Sequence, residues 1–322
     1  MKKAIYEMEL VSGEIIKKDS FDIFLLAGGS DYRAYAILKL MKSENVSINK
    51  ILFFDFLERV QGIDENDPYY DYQKIGFNNI IPIQCSIRDP NSCLQNLIPF
   101  ESELLSTQKI ALDISCFTKP YFFYLIKLFK ERFKVDYMKV FYTEPQSYLF
   151  PGGIYSSYRS SVGPLTILEI PGFSGYEVRR EKRVLVILLG FDGDLSKEIN
   201  EDISPSETLV VNGFPSYSPK FKDISLVANE KLTSDKDVKI KFSKANNPFE
   251  VFNLLESIKK QNENTFINIA PLGTKPMALG ACLFALYYPE VRVVYPMPET
   301  YEKVTTNKCW NSWRYLIPLN LS

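Results

Sequence analysis

One motif occurs twice in this chain, and that repetition limits what it can fold into. Ile114-Ser115-Cys116-Phe117-Thr118-Lys119-Pro120 returns as Ile269-Ala270-Pro271-Leu272-Gly273-Thr274-Lys275-Pro276, each copy following a short apolar run and opening an apolar segment of helical length. Thr118 and Thr274 stand 156 residues apart, close to half of the 322-residue chain. Further matches keep the same order. Leu25-Leu26-Ala27 with Ser30-Asp31 answers to Leu188-Leu189-Gly190 with Gly193-Asp194 at 163 residues, and Asp89-Pro90 answers to Asn247-Pro248 at 158. Tyr142, Pro145 and Tyr148 answer to Tyr295, Pro298 and Tyr301 at 153. A slowly drifting offset is what small insertions in a duplicated domain produce. The expectation is two similar units related by a pseudo-two-fold, each long enough for its own core.

Composition narrows the chemistry. Histidine is absent, which removes Ser-His-Asp and Cys-His catalysis, H-E-x-x-H zinc hydrolysis and His phosphoryl relays. Enzymatic activity is therefore less expected than binding. A net charge of −1 argues against duplex nucleic acid as a partner, which calls for a basic face. The five cysteines are odd in number, widely spaced and without a C-x-x-C pair, so neither a disulfide framework nor a structural zinc site is expected. No carboxylate cluster has metal-ligand spacing, and no metal or cofactor is expected. The start, Met1-Lys2-Lys3-Ala4-Ile5-Tyr6-Glu7, turns acidic before an apolar core develops, and the apolar stretch Met277 to Tyr288 is short of a span. The expectation is a cytoplasmic protein without a membrane partner.

Along the chain, apolar runs alternate with helix-period segments, the pattern of an α/β fold with mostly parallel sheets. Residues 1–20 read as a hairpin about Ser12-Gly13. Strands are expected at Phe21 to Ala27, Lys50 to Phe56, Asn79 to Gln84, Lys109 to Ile114 and Tyr137 to Tyr142. Helices are expected at Tyr32 to Lys42, from Asp89-Pro90-Asn91, and at Pro120 to Phe133. An acidic, tyrosine-rich loop runs from Gln61 to Tyr72. The second half repeats the plan, with strands at Arg183 to Leu189, Glu207 to Val211, Thr265 to Ile269 and Val291 to Tyr295. Its helices are expected at Phe249 to Lys260 and Pro276 to Tyr287. The organisation expected is a first unit over 1–150, a connector over 151–181 holding a strand near Leu165 to Ile170, and a second unit over 182–322. That second unit ends in an aromatic tail around Trp310 and Trp313.

In open parallel sheets, ligands sit beyond the C-terminal strand ends, where loops and helix N-termini offer free N–H groups. The repeated residues fall there. Gly28, Gly29, Ser30 and Asp31 follow the first strand of one half, and Gly190, Phe191, Asp192 and Gly193 that of the other. Neither loop is G-x-G-x-x-G or a P-loop, and a tight strand-to-helix turn also asks for glycine. Ser115, Thr118 and Lys119, with Gly273, Thr274 and Lys275, place a hydroxyl and an ammonium at a helix entrance, which suits a phosphate. A threonine cap explains one copy but does not call for lysine beside it in both. Arg33 is a further phosphate candidate or a salt-bridge partner. Asp55 and Asn212 are candidates for base or ribose contacts. Tyr142, Tyr148, Tyr295 and Tyr301 are candidates for stacking, worth about 1–3 kcal/mol per base.

The run Phe266-Ile267-Asn268-Ile269-Ala270-Pro271-Leu272-Gly273-Thr274-Lys275-Pro276-Met277-Ala278-Leu279-Gly280 resembles the Gly-Thr-Lys signature of CRISPR-associated Rossmann-fold (CARF) domains. The first copy departs from it at Phe117. A fused pair of such units also resembles SAVED domains, single-chain sensors of cyclic oligonucleotides in anti-phage defence. The resemblance implies two tandem Rossmann-like units. It implies a nucleotide or cyclic oligonucleotide held between the halves, Lys119, Lys275, Thr118 and Thr274 flanking the groove, and a separate effector protein as partner. A homodimer is left open. Two alternatives stand beside sensing: a metal-independent ring-nuclease-type phosphodiesterase, for which histidine is dispensable, and a structural partner that binds no ligand.

Overall fold

Strands that are apolar on both faces need helices on both faces, and the chain supplies them. The computed structural model describes residues 6–28, 31–56, 75–148, 161–176, 182–301 and 306–320. The strands are β1 (Glu7–Leu10), β2 (Ser20–Ala27), β3 (Ser47–Phe56), β4 (Ile80–Cys85), β5 (Ile110–Asp113), β6 (Tyr137–Tyr148), β7 (Ser161–Glu169), β8 (Lys182–Leu188), β9 (Glu207–Gly213), β10 (Val238–Ser243), β11 (Thr265–Pro271), β12 (Arg292–Tyr301) and β13 (Thr306–Pro318). The helices are α1 (Gly13–Ile16), α2 (Ala36–Ser43), α3 (Ser92–Leu97), α4 (Glu101–Ser106), α5 (Lys119–Glu131), α6 (Gly193–Ile203), α7 (Pro219–Ala228), α8 (Glu230–Thr233), α9 (Pro248–Gln261) and α10 (Lys275–Tyr287).

The fold is α/β, with two mostly parallel sheets in two compact units. The first sheet runs β1-β13-β6-β5-β2-β3-β4 and the second β10-β9-β8-β11-β12-β7. Taken in chain order, the parallel strands of each stand third, second, first, fourth, fifth. The duplication seen in the sequence is thus repeated as topology. In each unit the order reverses between the first and fourth strands, β2 and β5 or β8 and β11. That switch point is where such sheets open a crevice at their C-terminal ends. Matching ladder bonds refine the alignment: Gly28 N–H donates to Phe54 O and Leu189 N–H to Val211 O, both at 2.9 Å. Leu189 therefore answers to Gly28, not to Leu26.

The outermost strands correct the sequence reading. The tail assigned to the second unit is β13, which pairs antiparallel with β6 and belongs to the first unit. The physical reason is its apolar inner face: Tyr315, Ile317 and Leu319 are buried, at 0%, 0% and 1% exposed, while Leu316 is half-buried. The connector strand β7, which follows the first unit in the chain, pairs antiparallel with β12 in the second. Each sheet thus takes its antiparallel strand from chain that follows the other unit's last parallel strand. Nor is there a hairpin at Ser12-Gly13. The Ser12 hydroxyl caps α1 by accepting from Ile15 N–H at 3.4 Å, and β1 pairs with β13 instead. Near Asp89, the carboxylate accepts from Asn91 N–H at 3.1 Å, so that α3 starts only at Ser92. The segment expected as a helix from Tyr32 starts with one 3-10 turn before α2. Both β10 and α7 are additional to the expected elements. The Gln61 to Tyr72 loop lies outside the described residues.

Local chemistry sets the remaining helix starts. Asn247 caps α9, its Oδ1 accepting from Phe249 N–H at 3.0 Å and Glu250 N–H at 3.3 Å, with Pro248 at the first helical position. Helices α9 and α10 pack closely through Gly280, where a Cβ would stand 2.3 Å from the Pro248 carbonyl oxygen. Among the described residues, no helix is long and apolar enough to cross a membrane.

Candidate functional site

Thr118 and Thr274 share a backbone but not a hydrogen-bond pattern. Both are N-caps, at φ −68°, ψ 156° before α5 and φ −62°, ψ 157° before α10. Thr274 Oγ1 accepts from Met277 N–H at 3.3 Å and donates to the Ala245 carbonyl at 2.5 Å. Thr118 Oγ1 is buried and has no hydrogen-bond partner among the described residues. Three residues on, Tyr121 in the first unit stands in the place of Met277. The Tyr121 hydroxyl donates to the Ser86 carbonyl and lies 3.0 Å from that of Asp89, tying α5 to the loop after β4. In the second unit the corresponding tie, from α10 to the loop after β10, is made by Thr274. Burial pushes the Tyr121 phenol well above its ordinary range, so it remains a donor.

The residue before each threonine differs as well. A Cβ on Gly273 would meet the Leu189 carbonyl oxygen and Met277 Sδ, both at 3.2 Å, so this loop closes on the one after β8. Gly190 faces it from the other side, where a Cβ would lie 2.5 Å from the Leu272 carbonyl oxygen. In the first unit, Phe117 takes the glycine position and packs on Phe54 at 5.2 Å and Phe56 at 6.5 Å.

Most expected site residues of the second unit are held in packing. Asp192 caps α6, accepting from Leu195 N–H at 3.4 Å. A Cβ on Gly193 would stand 1.8 Å from the Ala228 carbonyl oxygen. Phe191 packs on Phe221 at 5.5 Å, and Asn212 Nδ2 donates to the Lys222 carbonyl at 3.0 Å. The Gly190 carbonyl accepts from Ser225 Oγ at 3.0 Å and Asn229 Nδ2 at 2.9 Å. Lys275 is half-buried at the first position of α10.

The first unit gathers a denser polar group. Gly28 is buried, and Gly29 and Ser30 lie outside the described residues. Arg33 is 7% exposed; its Nη2 ion-pairs with Asp31 Oδ2 at 2.6 Å and its Nη1 donates to the Tyr142 hydroxyl at 3.4 Å. Burial works against its charge but is outweighed by Tyr142, Asp31 and Tyr148, which hold the guanidinium protonated. Asp55 Oδ2 accepts from Gln84 Nε2 at 3.0 Å. Ser115 N–H donates to Asp113 Oδ1 at 2.9 Å, and Ser115 Oγ accepts from Thr143 N–H at 2.9 Å. Lys119 is half-buried at the first position of α5. Tyr142 and Tyr295 are 2% and 8% exposed, so neither ring is offered to a base; Tyr148 is half-buried, its phenol raised by burial.

Sequence reasoning passed over Asp113 and Glu144, both 2% exposed, and Tyr121. Asp113 had a signal, a carboxylate closing an apolar strand. Glu144 had none, because its partner Trp313 Nε1, at 2.5 Å, arrives from a strand 169 residues on. The five cysteines are free. Among the described residues, no group of three or more His, Cys, Asp or Glu could hold a metal ion.

No protein-family model and no curated protein matches the chain. Among solved structures it is similar to a universal stress protein from Archaeoglobus fulgidus, at 14% identity over 85% of this chain and 95% of that one. The TM-score of 0.23 is too low for that likeness to carry an argument.

Proposed function

We propose that this protein is a ligand-sensing or scaffold component. It holds the phosphate of a nucleotide or cyclic oligonucleotide at the strand ends of its first unit and works with a separate effector chain, as the CARF and SAVED resemblance implies. One observation carries the reading: Thr118 Oγ1, buried and without a partner among the described residues, at the N-cap of a 13-residue helix with Lys119 next to it. A buried hydroxyl left unpaired costs free energy, and the second copy shows that the same backbone can satisfy it. A phosphate oxygen at the N-terminus of α5 would accept from that hydroxyl and gain from the helix dipole.

The test is calorimetric titration and thermal shift with cyclic oligoadenylates and mononucleotides. A ligand at a hundredfold its Kd stabilises by about 2.7 kcal/mol. Thr118→Val and Lys119→Ala are each expected to weaken binding about tenfold or more, the loss of one charge-assisted hydrogen bond. Lys275→Ala reports whether the second lysine takes part. Binding that survives Thr118→Val with Lys119→Ala unchanged removes this site. Linear products in the same incubation replace sensing by ring-nuclease cleavage.

A further inference from the structure

The second unit contains a pocket of about 220 Å³ at the start of its strands, away from the loops described above. Arg183 and Arg292 line it from the first residues of β8 and β12, and Asp202 from the last turn of α6. Asn268 also lines it, in mid-strand on β11 and 1% exposed, with neither Nδ2 nor Oδ1 hydrogen-bonded among the described residues. Its register partner on β12 is Arg292. The Arg292 Nη2 ion-pairs with Glu169 at 2.7 Å, while its Nε is buried without a hydrogen-bond partner among the described residues.

The fold does not ask for an amide at this position. The ladder register that aligns Gly28 with Leu189 and Tyr142 with Tyr295 puts Ala111 of β5 opposite Asn268, and Ala111 is fully buried at 0% exposed. An asparagine held where alanine suffices, with donor and acceptor both unspent, calls for a partner.

The geometry points to a binding site for a free α-amino acid. The adjacent donors, Arg292 Nε–H and the Asn268 amide, suit a carboxylate; Asn268 Oδ1 and the Asp202 carboxylate suit an ammonium. The lining carboxylates of Glu169 and Asp202 balance the guanidiniums of Arg183 and Arg292, so the pocket favours a zwitterion over a net anion. Its volume lies below the roughly 300–1,000 Å³ of sites for drug-sized ligands and fits a molecule of amino-acid size. Phe266 and Ile203 provide apolar wall for a side chain.

The experiment titrates the full chain with the free amino acids, and with inorganic phosphate and adenine, by calorimetry and thermal shift. The expected result is millimolar or tighter binding of one or more amino acids, weakened about tenfold or more by Asn268→Leu. Asp202→Asn, at an exposed position, is expected to weaken it as well, so the result does not depend on how the buried variant folds. Thr118→Val is expected to leave this binding unchanged, which separates it from the strand-end proposal. No binding by any amino acid, affinity that survives both pocket variants, or binding of phosphate or adenine alone would overturn the assignment.

Discussion

Replacing Thr118 and Thr274 by valine is expected to move stability in opposite directions, although both sit in the same Thr-Lys-Pro context. Thr274→Val removes the cap on Met277 N–H, worth about 0.5–2 kcal/mol. It also removes a hydrogen bond to the Ala245 carbonyl, worth about 0.5–1.5 kcal/mol net. That carbonyl still accepts from the Tyr217 hydroxyl at 3.0 Å, so no orphan acceptor adds to the loss. The sum is a destabilisation of about 1–3 kcal/mol. Thr118→Val removes a buried hydroxyl with no partner among the described residues, so it is expected to be neutral or to stabilise by up to about 2 kcal/mol. The assay is urea unfolding followed by two probes. Both tryptophans, Trp310 and Trp313, lie on β13, so their fluorescence reports the first unit, while far-UV circular dichroism reports both. A shift in midpoint at constant slope gives each difference. If Thr118→Val destabilises as much as Thr274→Val, the contrast drawn between the two caps is wrong. The function proposed for Thr118 then loses its support. A variant that gains stability while losing ligand would place the hydroxyl among residues kept at the expense of stability.

Gly193→Ala is expected to cost about 3 kcal/mol or more, because the new Cβ meets backbone of residues 228 and 229 that cannot turn aside. Gly13→Ala, whose neighbour is the flexible Glu44 side chain, is expected to cost less than about 1 kcal/mol; equal urea midpoints for the two would refute the packing argument. Ending the chain before Thr306 strips β1 of its partner and β6 of its antiparallel neighbour, and is expected to abolish cooperative unfolding of the first unit while the second still melts. Two calorimetric transitions in that truncated chain would show that β13 is dispensable.

The amino-acid order reveals those parts of this protein that depend on short-range chemistry. Apolar runs such as Val184 to Leu188 announce buried strands, Asn247-Pro248 announces a helix start, and the repeated Thr-Lys-Pro announces the duplication that the shared strand order repeats. Each is written within about ten residues, the range over which hydrophobic period and capping act. The strand ends were legible as the place to look for the site, but the state of its side chains was not. Thr118 and Thr274 share the Thr-Lys-Pro triplet and nearly the same backbone angles. What separates them is a tyrosine hydroxyl in one unit and a loop carbonyl in the other, meeting the helix entrance only once the sheet has formed. The partners of β7 and β13 are likewise undetermined by pattern. An alternating strand can complete any open edge of matching length, and the choice is settled by long-range pairing across 169 residues, as between Thr143 and Ser312. The unspent amide of Asn268 reads in the chain as one polar residue in a strand. Only the packed sheet, which buries it beside Arg292 without a hydrogen-bond partner among the described residues, turns it into a group that calls for a partner.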